Sequence, residues 1–227
     1  FHWWSRRTGP DQSRVARIKT VVRRRRKDTA PAQVAEQASA PQPGQGPFDF
    51  DELGLEDGSE LGYSTLDLGG ILLPAPPDGF EVHVQADEES GHINGLLVMG
   101  PDSGLEVAAV ARGRNSSSWV ERRIALTHEV GNAGGKVEAA EGELGDELSC
   151  EVPMKGPDGQ TVQSSLRFIG FEGPRWLLVG TLHGRAAVDP GAAAELRAMF
   201  RSVVVRRGPG AMIQGEPIPL HLPTGSE

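Results

Sequence analysis

The chain has 227 residues, of which 37% are hydrophobic and 5% aromatic, and it carries a net charge of −8. No run approaches the roughly 18–20 consecutive apolar residues of a membrane-spanning helix, so the pattern excludes a protein integral to the membrane. A lone cysteine, Cys150, excludes an intramolecular disulfide framework and a multi-cysteine metal site.

In chain order, charge is the first signal. Residues 1–28 hold ten Lys or Arg against Asp11 and Asp28, and the densest run is Arg23-Arg24-Arg25-Arg26-Lys27. An acidic stretch follows, with Asp49, Asp51, Glu52, Glu56, Asp57 and Glu60 and no basic residue among them. Between the two lies a spacer with Pro31, Pro41, Pro43, Pro47, Gly44 and Gly46. Blocks of like charge repel themselves and stay solvated, and a Pro- and Gly-rich spacer resists ordering. Residues 1–62 therefore read as a disordered, basic-then-acidic N-terminal segment. No apolar stretch of secretory-signal length occurs near the start. Because the chain begins with Phe, one reading takes residues 1–20 as translated upstream sequence, with the start at Val21 or Val22.

A single domain is expected over residues 63–224. Leu66 to Leu73 reads as strand broken at Gly69-Gly70, and Glu81-Val82-His83-Val84-Gln85 alternates cleanly. Ile93–Met99 and Leu105–Ala111 are strand-like runs joined by a turn at Pro101-Asp102-Ser103-Gly104. Their near-continuous apolar character suits strands covered on both faces. Ser118-Trp119-Val120-Glu121 has capping-box spacing, and Trp119, Val120, Ile124, Thr127 and Val130 form the apolar stripe expected of the helix it opens. Strands resume at Val137, at Leu148, Cys150 and Val152, and at Leu166 and Phe168. Glu172-Gly173-Pro174 then turns into Trp176–Leu182 as a hairpin. Asp189-Pro190 opens a second helix, with Leu196, Met199, Phe200 and Val203 as its apolar face. The prolines in Ile218-Pro219-Leu220-His221-Leu222-Pro223 point to an edge-lying extended tail. Strands joined by short turns, with two helices packed on them, make an α+β domain built on an antiparallel sheet.

Three ordered features carry a family resemblance. They are the Leu66-Asp67-Leu68-Gly69-Gly70 opening with its proline-rich turn, the Leu166-Arg167-Phe168 to Gly173-Pro174-Arg175-Trp176 hairpin, and the Pro217-Ile218-Pro219-Leu220 ending. With the Arg/Lys run and the Gly46-Pro47-Phe48-Asp49 entry, the set resembles the actinobacterial domain-of-unknown-function family 3710 over roughly residues 22–224. That resemblance implies a cytoplasmic protein with no assigned activity, and it carries over no catalytic residues. The element order is also similar to the Mog1/PsbP-like α+β fold, which is associated more with binding partners than with catalysis.

No catalytic, metal or cofactor residues are assigned from the sequence. None of the histidines stands in His-x-x-x-His spacing, and no phosphate-binding glycine loop or nucleophile elbow occurs. His83 reads as a solvent-facing strand residue. Cys150 reads as a core thiol, since neighbouring Glu147 and Glu151 would raise its pKa. Ser116, Ser117 and Ser118 read as capping residues. The candidate partner contacts are Arg23, Arg24, Arg25, Arg26, Lys27, Arg175 and Trp176. A tryptophan beside an arginine on a hairpin can form a binding surface, or the ring can pack in the core. The leading reading is a non-enzymatic binding or adaptor protein with an unknown protein partner. Alternatives are an RNA-, DNA- or ribosome-associated protein making weak, non-specific contacts through the basic run, and an enzyme with an unrecognised site.

Overall fold

The computed structural model describes residues 15–18, 42, 44–56, 61–86, 93–113, 118–155 and 160–221. Their strands are β1 (Val15–Ile18), β2 (Phe48–Asp49), β3 (Thr65–Asp67), β4 (Ile71–Pro74), β5 (Glu81–Ala86), β6 (Ile93–Met99) and β7 (Ser103–Ala111). After helix α1 (Ser118–Asn132) come β8 (Lys136–Gly142), β9 (Gly145–Lys155), β10 (Thr161–Glu172) and β11 (Trp176–Gly184). Helix α2 (Pro190–Phe200) and the short β12 (Val204–Val205) follow. The class is α+β, as the sequence implies, but the strands divide between two sheets.

The large sheet runs β1-β5-β6-β7-β11-β10-β9-β8 and is antiparallel throughout. Two meanders, β5–β7 and β8–β11, meet along the long β7–β11 pair, where Ala111 faces Trp176 and Ser103 faces Gly184. The small sheet runs β2-β12-β4-β3, with β2 parallel to β12 and the other pairs antiparallel.

Strand alternation decides the layers. Val82, Val84, Leu96, Val98, Leu105, Val107, Leu178 and Leu182 point to one face, where α2 and the small sheet cover them. Leu148, Cys150, Val152, Leu166, Phe168 and Leu177 point to the other face, beneath α1. Two strand glycines admit the helices closely. A side chain at Gly170 would overlap the Trp119 ring of α1, and one at Gly180 would come within 2.9 Å of Phe200 of α2.

The helix starts follow their local signals, with differences. The Asp189 carboxylate accepts from the Gly191 amide at 2.9 Å, with Pro190 in the first turn. In α1 the buried stripe is Trp119, Leu126 and Val130, while Val120 and Ile124 are exposed. The expected stripe took the two branched residues as core. The packed face lies about a quarter turn away, because Trp119 seats over Gly170. The Trp119 amide donates to the Glu172 carboxylate at 2.6 Å, so β10 supplies a partner for the helix start. In β6 the second face is covered only in part: Gly95 is buried, Leu97 half-buried and Met99 exposed.

The C-terminal tail is extended, and it is also part of the core. Pairing of β6 with β7 stops at Leu96–Val107, which leaves the upper edge of β7 open. The tail takes that edge: Ile218 N–H donates to Ala109 O at 2.9 Å, and Ala111 N–H donates to Glu216 O at 2.8 Å. Ile218 and Leu220 are buried, while Pro217 and Pro219, which alternate with them, are exposed. The prolines thus fall where no ladder donor is required.

Short parts of residues 1–62 are packed onto the domain. Val15–Ile18 pairs with β5, and residues 44–56 form a strap folded onto the small sheet. The acidic run hides an apolar one. Phe50 is buried, and Phe48, Leu53 and Leu55 pack with Leu61, Leu72, Tyr63 and Val204. Phe48 N–H donates to Val203 O at 2.9 Å and Phe50 N–H to Val205 O at 3.0 Å. Four large apolar side chains in eight residues supply what a charge count overlooks. The rest of the expected disordered segment, including the basic run, lies outside the described residues.

Candidate functional site

Where the strap crosses the end of the large sheet, it walls an open cleft of about 450 Å³. One wall is Pro47, Phe48, Asp49, Glu52 and Leu53 of the strap. The other is Arg112, just past β7, with Phe171 to Pro174 of the β10–β11 hairpin and Trp176.

Asp49 shapes the strap. One carboxylate oxygen accepts from the amides of Asp51 and Glu52 at 2.9 and 3.1 Å, and its backbone carbonyl accepts from Leu53 N–H at 3.1 Å. Aspartate favours such a turn because its side chain caps the amides that follow. The turn brings Phe48 and Leu53 to the cleft. The second carboxylate oxygen accepts from Trp176 Nε1–H at 2.6 Å, which ties the strap to β11.

The opposite wall is pinned by charge. Arg112 donates to Gly173 O at 2.9 Å and stands 3.2 Å from Glu172 Oε2. Glu172 uses its other oxygen on α1, so one carboxylate links a helix start to the hairpin turn. Phe171 and Trp176 lie with ring centroids 5.9 Å apart. Glu52 is exposed, and among the described residues its carboxylate has no hydrogen bond or ion pair. The cleft therefore combines ring surface, one paired guanidinium and a surplus of carboxylates. That chemistry suits recognition of an apolar or cationic group.

The candidates read from sequence fall differently. Trp176 is only 1% exposed, so it is the floor of the cleft and part of the core and offers no surface to a partner. A bulky apolar ring is worth more buried, and Asp49 satisfies its one polar atom. Arg175 is half-buried and donates to Gly208 O at 3.3 Å, away from the cleft wall. The Arg175-Trp176 pair therefore makes no shared surface. Arg23, Arg24, Arg25, Arg26 and Lys27 lie outside the described residues. Sequence reasoning missed Phe48, Asp49, Glu52, Leu53, Arg112, Phe171 and Glu172. The spacing of Phe48, Phe50, Leu53 and Leu55 within the acidic run was the available signal.

Two further polar clusters lie elsewhere. Glu147, 1% exposed, receives Arg197 through both oxygens at 2.7 and 2.8 Å and Arg167 Nε at 2.5 Å. Burial alone would raise its carboxyl pKa, but the hydrogen bonds and charges of Arg197 and Arg167 hold it below the ordinary range. Arg201 and Glu143 pair beside it. This is a closed structural network joining α2 to the β8–β9 hairpin. On the face that α1 covers in part, Glu106 Oε2 and His183 Nε2 stand 3.4 Å apart. Among the described residues no group of three or more metal-ligating side chains gathers. Cys150 is buried and its thiol is pushed up to about 11 by burial, as a core cysteine should be.

The model of a family described as protein of unknown function (DUF3710) matches residues 46–227. That span begins at the strap, so the cleft lies wholly within the matched region. No curated protein matches the chain.

Proposed function

The chain belongs to the DUF3710 family of proteins of unknown function, and from that premise we propose that it is a non-enzymatic binding module of the cytoplasm that takes a segment of a partner protein in the strap–hairpin cleft. The cytoplasmic placement follows the sequence resemblance. No helix among the described residues is long and apolar enough to cross a membrane. The binding reading is carried by one observation. The cleft is open, and separate parts of the chain line it with half-buried rings and a charged rim. Its volume falls in the range of roughly 300–1,000 Å³ usual for ligand sites, and aromatic side chains with convergent polar groups typify such sites.

The test places a photo-crosslinking amino acid at Leu53, on the cleft wall, and at Lys136, on exposed β8, in cells that express the full chain. A discrete protein adduct from position 53, absent from position 136, is the expected result. Adducts that are nucleic acid, or identical from both positions, would remove the reading.

A further inference from the structure

We propose that the cleft is built for an arginine-bearing segment of a partner protein, an assignment that rests on the cleft being a binding site and names what it binds. The guanidinium is planar and weakly hydrated. It stacks on aromatic faces while forking onto carboxylates, which a compact ammonium does less well. The cleft offers both elements. Phe48 and Phe171 present half-buried rings, and Glu52 presents an exposed carboxylate beside them. The only cation among the lining residues, Arg112, is already held by Glu172 and Gly173 O. Asp49 is held by Trp176 and its own turn, so Glu52 is the lining carboxylate left without a partner among the described residues, and it makes the rim negative.

A neighbouring ring of the strap, Phe50, already takes part in this chemistry with Asp67 of β3. Arg206 lies 4.2 Å over the Phe50 ring and forks onto Asp67, with Nη1 and Nη2 each 3.1 Å from a carboxylate oxygen. Phe50 and Asp67 hold an internal arginine, and Phe48 and Glu52 repeat the ring-and-carboxylate pair toward the open cleft. One copy is filled by the chain, and the other faces solvent.

The chain's own basic run is poorly placed to fill it. Ile18 pairs with Val82, at the end of the large sheet away from the cleft. From there to Arg112 the path crosses about three strand spacings and seven residues of rise, roughly 27 Å. Arg23 to Arg25 follow Ile18 by five to seven residues and reach at most about 24 Å fully extended, and Arg26 and Lys27, at eight and nine residues, span the gap only near full extension. A segment from another protein has no such restriction.

The test uses the full chain, 15N-labelled, titrated with N-acetyl-arginine amide, N-acetyl-lysine amide and N-acetyl-leucine amide. The resonances read are the Trp176 indole N–H and the amides of Leu53 and Gly173. Saturable shifts with the arginine probe are expected, with the lysine and leucine probes several-fold weaker. Glu52→Gln should weaken the arginine probe about two- to fivefold, the usual range for one exposed ring-and-carboxylate contact. Glu138→Gln on β8 should change nothing. Equal binding of the arginine and lysine probes would overturn the assignment, because simple charge would then suffice. Preference for the leucine probe would also overturn it, while leaving the cleft a binding site. No shift with any probe would count against both readings. A variant with Arg23 to Lys27 all changed to Gln should bind the arginine probe as the parent does. Tighter binding would assign the cleft to the chain's own run and refute the partner assignment.

Discussion

Asp49 is the residue on which the strap depends most, and removing its side chain takes away three hydrogen bonds, two within the strap and one to β11. In Asp49→Ala, the amides of Asp51 and Glu52 lose their shared acceptor, a loss of about 1 kcal/mol by analogy with helix caps. The Trp176 indole N–H loses its partner while its ring stays 1% exposed. A buried donor left unsatisfied costs about 1–3 kcal/mol. Asp49 is itself half-buried, so the total belongs in the lower part of the resulting range, about 2–3 kcal/mol. For a domain of this size that lowers the melting temperature by roughly 4–12 °C. Trp176→Phe removes the same bond from the other end and adds a packing defect. The decisive measurement is a double-mutant cycle by denaturant unfolding, Asp49→Ala with Trp176→Phe, where the shared bond should appear as about 1–2 kcal/mol of coupling. Amide exchange gives the local readout. The Phe48 and Phe50 amides donate into the small sheet and should be protected in the parent, with protection lost in Asp49→Ala. Coupling under about 0.3 kcal/mol, with unchanged exchange at Phe48 and Phe50, would refute the idea that this bond holds the strap in place.

Glu147→Ala should destabilise by about 3–5 kcal/mol in chemical unfolding, because Arg167 and Arg197 are then left half-buried without their anion. The Glu147 carboxyl is depressed in the fold, so its contribution is present above the unfolded value of about 4.3 and is lost as pH falls through the folded value. Glu147→Gln should therefore flatten the acid limb of a melting-temperature-against-pH curve, and an unchanged limb would remove Glu147 from that role. With its thiol at about 11, Cys150 should resist alkylation at pH 8 in the native protein and react fully once denatured. Rapid native labelling would show that the core beneath α1 opens readily.

Much of the fold was legible because it rests on local physics. Period-two alternation at Val82–Val84 and Leu148–Cys150–Val152, the turn at Pro101 to Gly104 and the Asp189-Pro190 start each act over a few residues. Each element formed where its own neighbours dictate. The site was far less legible. Its walls come from residues about 60 positions apart in each case: the strap near 50, Arg112, and the hairpin near 173. Their meeting depends on a two-residue parallel pairing of β2 with β12 and on one indole hydrogen bond to Asp49. Trp176 shows the limit most plainly. Beside Arg175 in sequence it looks like a surface pair, and in space its neighbours are Asp49 and Phe171.

By itself the sequence determined the α+β class, the order of the longer strands and of the two helices, and the inert core cysteine, while β12 at Val204–Val205 lay hidden behind the end of α2. Periodicity, turn chemistry and burial preference are properties of short windows. Tertiary structure alone decided that the strands form two sheets, that an acidic run becomes an ordered strap, and that the proline-bearing tail closes the open edge of β7. Whether a segment orders depends on the apolar surface it can bury against the rest of the chain, less the entropy lost in ordering it. The surface it meets is supplied by residues far away in sequence.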